Sequence, residues 1–150
     1  MILDRRQFVT AAIGGTVVVS LGVVPTLAAE SASAMDLVKE FTGGAEAGTG
    51  KLSLTTPEIA ENGNTVPISV EVDSAMDGDD MVESIMIVAA GNPRAEVVTF
   101  NFTAMSGSAS AKTRIRLAKT QDVIAVARMS DGSYQMAKNQ VKVTIGGCGG

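Results

Sequence analysis

Residues 111–145 read AKTRIRLAKTQDVIAVARMSDGSYQMAKNQVKVTI. Thr113, Ile115 and Leu117 alternate with Lys112, Arg114 and Arg116, the period of two expected of a strand with one buried face. After the short connection KTQ, the run DVIAVARM is apolar almost throughout, as suits a strand covered on both sides. SDGS then supplies turn residues, and YQMAKNQVKVTI returns as a third strand.

The same rhythm extends toward the N-terminus. KLSLTT sets Leu52 and Leu54 on one face. TVPISVEVD sets Val66, Ile68, Val70 and Val72 on one face, preceded by the turn signal ENGN, with Pro67 confined to a strand edge or entry because it lacks a donor. VESIMIVAA, ended by GNPR, and AEVVTFNFT, ended by MSGSAS, complete the set. About seven strands at this spacing predict an all-β fold, an immunoglobulin-like β-sandwich lacking the disulfide and Trp of antibody domains. AMDLVKEFTGG predicts a short N-terminal helix stopped by Gly43-Gly44, and TGGAEAGTG (42–50) reads as a flexible linker.

The first 29 residues have the layout of an export signal. Arg5-Arg6 precede an apolar run from about Ala11 to Val24, then Pro25 and small residues. Arg-Arg-x-Phe followed by Val9 resembles the twin-arginine motif, with Asp4 where Ser or Thr is usual. The apolar run is shorter than the roughly 20 residues that span a bilayer. Cleavage after Ala28 or Ala29 fits, and it could fall as late as Ala34. The expectation is a periplasmic protein without stable membrane insertion, with an immunoglobulin-like sandwich domain at 30–145 and a flexible Gly-Gly-Cys-Gly-Gly arm at 146–150.

Composition narrows the function. Without residues 1–29, which hold Asp4, Arg5 and Arg6, ten basic side chains face fifteen acidic ones, which argues against nucleic acid as a partner. Thirteen acids and three bases lie in 30–100, against two acids and seven bases in 101–150, hinting at a polarised surface. The chain has no His, so a Cys-His dyad, a Ser-His-Asp triad and the common His-containing metal sites are unavailable within it. DSAMDGDD (73–80) gathers four acids, but its spacing fails the calcium-loop pattern and it reads as a solvated turn. The methionines are scattered and read as core filling. Lys112, Arg114 and Arg116 share a strand face that could steer an anion, or simply protect an exposed face. Asn62-Gly63 and Asn92-Pro93 read as turn chemistry alone.

The one cysteine stands in VTIGGCGG, where Gly146, Gly147, Gly149 and Gly150 flank Cys148. In an oxidising compartment an unpaired Cys is free, bound to another molecule or modified. Glycine imposes no preferred φ, and three residues from Ile145 to Cys148 reach about 10 Å when extended. The run therefore reads as a flexible arm bearing a thiol. None of its sequence neighbours is a group that activates a thiol, so the pattern fits a carrier rather than an enzyme. An exported interaction module cross-linked through Cys148 is the other class of function that the residues allow.

PEIAENGNTVPISVEVDS, GNPRAEVVTFNFT, TRIRLAKTQDVIAVARMSDGS and the terminal VTIGGCGG closely resemble the SoxY family of the periplasmic sulfur-oxidising system, over about residues 35–150. The resemblance implies a sulfur carrier paired with a SoxZ-like β-sandwich subunit, with Cys148 as the conjugated residue and the four glycines as its arm. It implies loading with thiosulfate-derived sulfur by a haem cytochrome, release of sulfate by a manganese-containing, sulfatase-like hydrolase, and oxidation of the remaining sulfur by a molybdenum–haem dehydrogenase. Those cofactors belong to the partners, and none is expected in this chain.

Overall fold

The computed structural model describes residues 33–148. The export-signal reading of residues 1–29 and the terminal pair Gly149-Gly150 lie outside the described residues. Among the described residues no helix is long and apolar enough to cross a membrane.

Helix α1 (Ala34–Thr42) begins at Ser33, whose hydroxyl accepts the Asp36 amide at 3.2 Å while the Asp36 carboxylate accepts the Ser33 N–H at 3.3 Å. This reciprocal capping satisfies amides that the first turn leaves without partners. Gly43, at φ 62°, ends the helix in the left-handed conformation that glycine adopts without steric cost.

Eight strands follow, in two sheets. β1 (Leu52–Thr55), β3 (Val66–Val72) and β6 (Ala109–Ile115) form an antiparallel sheet in the order β1-β3-β6. β2 (Ile59–Asn62), β4 (Val82–Ala89), β5 (Glu96–Asn101), β7 (Gln121–Met129) and β8 (Tyr134–Ile145) form the larger sheet, in the order β2-β8-β7-β4-β5. The chain is mostly β, a sandwich of two sheets. Its principal core lies between them: Val66, Ile68 and Val70 from one sheet meet Ile85, Ile87, Val123 and Ala125 from the other.

β4 and β7 are apolar along almost their whole length because the larger sheet is buried on both faces. Its outer side chains Met86, Val88, Ile124 and Val126 form a second cluster with Ala34 and Val38 of α1. Phe41 meets Tyr134 edge to face, with ring centroids 6.1 Å apart. Of the methionines, Met76, Met86 and Met129 are buried, whereas Met105 is 96% exposed.

Two sequence expectations need correction. Seven strands were expected, and β2 is the additional one. Only Ala60 of its four residues is buried, so it shows no apolar alternation. It is held instead by parallel backbone pairing to the end of β8, with Ile59 opposite Lys142 and Asn62 opposite Ile145. The supposed linker at 42–50 is also tied down. Gly48 donates to the Tyr134 carbonyl at 2.8 Å and accepts from the Met136 amide at 2.9 Å, extending the sheet beside β8.

The strands run so that residues 62–65, 90–95, 116–120 and the tail gather at one end of the sandwich. Residues 73–81, 102–108 and 130–133 gather at the other.

Candidate functional site

The tail leaves β8 at Ile145 and is caught at once. The Gly63 amide donates to the Ile145 carbonyl at 2.7 Å, and the Gly63 carbonyl accepts from Leu117 at 2.8 Å. The Gly147 amide then donates to the Leu117 carbonyl at 2.9 Å. Three separate stretches of backbone thus meet around one residue, and there is no room for side chains between them. A Cβ on Gly63 would stand 2.3 Å from the Leu117 oxygen, one on Gly146 2.2 Å from the Ala118 oxygen, and one on Gly147 2.7 Å from the Gly63 oxygen.

Cys148 is exposed and its thiol is free. Its amide donates to Asn64 Oδ1 at 3.1 Å. Asn64 is itself placed by a turn in which its amide donates to Asn62 Oδ1 at 3.0 Å. The platform beneath the tail is built by Asn92 and Gln121. Asn92 Nδ2 donates to the Arg116 carbonyl at 2.9 Å, and Asn92 Oδ1 accepts from the Ala118 amide at 3.0 Å and from Gln121 Nε2 at 2.9 Å. Gln121, buried at the start of β7, also accepts the Gly91 amide at 2.6 Å through Oε1. These bonds fix the loop 116–120, and that loop fixes Gly147.

Sequence reasoning singled out Cys148 and its glycines, and the structure brings Gly146, Gly147 and Cys148 together at one end of the sandwich. It gives the first two glycines a further role: they permit close backbone approach, as well as lacking a preferred conformation. It also adds Gly63, Asn64, Asn92 and Gln121, which the sequence reading passed over. Asn62-Gly63 and Asn92-Pro93 were visible as turns, but nothing in a turn signal says which distant backbone it will grip.

Of the other sequence features, Arg116 lies past the end of β6 in the loop 116–120, and the rest lie elsewhere. Lys112 and Arg114 point outward from β6, an edge strand, into a shallow groove of about 800 Å³ with Thr55 and Ser69. The acidic stretch 73–80 is at the end opposite Cys148 and closes on itself. Asp80 accepts the Ala75 amide at 2.9 Å and pairs with Lys51 at 3.2 Å. The Ala75 amide first, and then Lys51, hold the Asp80 carboxyl below the usual aspartate range. Among the described residues no three His, Cys, Asp or Glu side chains cluster as metal ligands would.

The arrangement offers one exposed thiol on a backbone-anchored tail. The bonds that position it come from main chain and from Asn64, with no side-chain base among them.

The family model for the sulfur oxidation protein SoxY matches residues 38–148, and the chain belongs to that family. Among solved structures it resembles the sulfur carrier protein SoxY from Chlorobium limicola f thiosulfatophilum, with 27% identity and a TM-score of 0.61 over 77% of this chain and 96% of that one. It also resembles a superoxide reductase (neelaredoxin) from Ignicoccus hospitalis, at 13% identity and a TM-score of 0.57 over 73% of this chain and 86% of that one, a likeness of fold alone. No curated protein sequence matches the chain.

Proposed function

We propose that this chain is a covalent sulfur carrier of thiosulfate oxidation, with Cys148 as the attachment site. The observation that carries the reading is the placement of the chain's one cysteine: exposed, beyond two docked glycines, at the open end of a sandwich of the SoxY family. Gly149 and Gly150 complete the arm, and release of the short contacts at Gly147 and Asn64 lets the thiol enter a narrow cleft in a partner. The carrier domain is an immunoglobulin-like sandwich that pairs with a SoxZ-like subunit.

In this reading a haem cytochrome partner joins thiosulfate to the thiol. A sulfur–sulfur bond forms between Cys148 Sγ and the sulfane sulfur, the thiol proton leaves, and an electron pair passes to the cytochrome. A sulfatase-like hydrolase adds water across the terminal sulfur–sulfur bond, releasing sulfate and leaving a persulfide on Cys148. A sulfur dehydrogenase then oxidises that sulfur. This chain holds the intermediate and carries out none of the steps itself. Haem, manganese and molybdenum belong to the partners. Export by the twin-arginine route places the carrier in the periplasm with them.

The test is replacement of Cys148 by Ser in a reconstituted thiosulfate-oxidising system, with intact mass of the exported protein taken before and after thiol reductant. The expected results are loss of oxidation and a reductant-labile addition on the C-terminal peptide. Full activity of the Ser variant, or a disulfide dimer as the only modification, would replace the carrier by the cross-linked interaction module.

A further inference from the structure

The sequence neighbours of Cys148 are glycines, but its neighbours in space were set by folding. Leu117 holds Gly147, and Gly146 lies on the Ala118 carbonyl, so residues 116–120 run beside the tail. Asn92 ties residues 90–95 to that same loop. These two loops carry Arg94, Arg116 and Lys119 and no acidic side chain. All three cations are exposed, and none forms an ion pair among the described residues. The Lys119 stem crosses the backbone at Gly91, where a Cβ would stand 2.9 Å from Lys119 Cε.

The opposite end has the reverse character. Its loops carry Asp73, Asp77, Asp79, Asp80 and Asp131. Near the Cys148 end, Glu61 and Glu96 lie on strands β2 and β5 rather than on the loops that grip the tail, and Asp122 is engaged by Lys138 at 3.6 Å. The charged side chains on the loops beside the tail are thus all cationic, in a chain of net charge −4.

We propose that Arg94, Arg116 and Lys119 form a cationic collar that draws small sulfur oxyanions to Cys148. The inference rests on the carrier reading in taking Cys148 as the reacting group, and it adds residues that select the charge of what reaches it. Charges on neighbouring loops act together over about a Debye length, roughly 8–10 Å at ordinary ionic strength. Such fields raise encounter rates with anions about 10- to 1,000-fold and weaken as salt is added.

Tetrathionate is the probe. The Cys148 thiolate attacks an inner sulfur, the central sulfur–sulfur bond breaks, thiosulfate departs with the electron pair, and Cys148 is left as the S-thiosulfonate. Its rate on the full exported chain is compared with that of 4,4′-dithiodipyridine, a neutral disulfide that reports accessibility of the same thiol. The tetrathionate rate is expected to fall with rising salt while the neutral rate holds. In R94E/R116E/K119E the ratio of the two rates drops about tenfold, and R94Q/R116Q/K119Q falls between. Lys51→Glu, at the far end of the sandwich, leaves the ratio unchanged. Equal changes with both reagents, or none, overturn the collar. So does a charge-reversed chain that keeps its tetrathionate rate but is turned over more slowly by partner enzymes, because the cations would then be reading acidic protein. Reactivity of the purified chain is measured apart from sulfur oxidation, so a functional Cys148→Ser protein would remove the carrier reading without altering these rates.

Discussion

Gly147 and Gly63 touch backbone to backbone. A Cβ on Gly147 would stand 2.7 Å from the Gly63 oxygen, and one on Gly63 would stand 2.7 Å from the Gly147 nitrogen. Both residues are buried, although each belongs to a segment that reads from sequence as a surface loop. The contact joins the first turn of the larger sheet's edge to the last residue before the thiol.

Gly63→Ala forces apart three backbone segments that cannot give as a flexible side chain can. The expected cost is about 1–3 kcal/mol, in the range of overpacked sites, measured by denaturant unfolding. Gly147→Ala displaces only the tail. It is expected to leave global stability nearly unchanged while speeding exchange of the Gly147 amide, which loses its bond to Leu117. Equal protection of that amide in the variant would show that the tail docks some other way.

Val38→Ala removes a buried side chain from the helix face that covers Met86, Val88, Ile124 and Val126. Loss of the transfer energy and a small cavity together cost about 1–2 kcal/mol. Among the described residues no hydrogen bond links α1 to Gly146, Gly147 or Cys148, so thiol reactivity toward a neutral disulfide is expected to stay as in the wild type. A matching change in reactivity would mean that the helix and the tail are coupled.

Asp80 links stability to pH. Its folded carboxyl is held below the ordinary aspartate value, by the Ala75 amide and then by Lys51. A depressed carboxylate contributes stability that is present above the unfolded pKa, about 3.9, and is lost as pH falls through the folded value. Asp80→Asn is therefore expected to lower Tm at neutral pH, with the difference from wild type shrinking below about pH 4. A constant difference at every pH would assign the effect to packing rather than charge.

The capping box at Ser33 and Asp36 bears on processing. Cleavage after Ala34 would remove the cap and the first helical residue, at a cost of about 1 kcal/mol. Cleavage after Ala28 or Ala29 keeps both. Intact mass of the exported protein is expected to give a mature N-terminus upstream of Ser33, and a chain beginning at Met35 would show the cap to be dispensable.

Much of the sandwich was legible because burial imposes a period on the sequence. Val66, Ile68, Val70 and Val72 alternate because one face of β3 is buried. The apolar runs of β4 and β7 followed from cover on both faces, and the helix that provides part of that cover was legible too. β2 was missed because pairing at a sheet edge uses main chain, which is the same in every residue and leaves no mark on composition. Gly48 was missed for the same reason.

The sequence by itself determined that there is one thiol, that the chain has no histidine to act on it, and that glycine surrounds it. Residue identity suffices for those conclusions, since they concern which groups exist. Only the tertiary structure decided that Gly147 is buried against Gly63, that Asn64 holds the Cys148 amide, and that the loop carrying Arg116 and Lys119 runs beside the tail while five aspartates lie at the far end. Those relations join residues as many as 84 positions apart. They depend on strand register and direction, which periodicity along the chain does not encode.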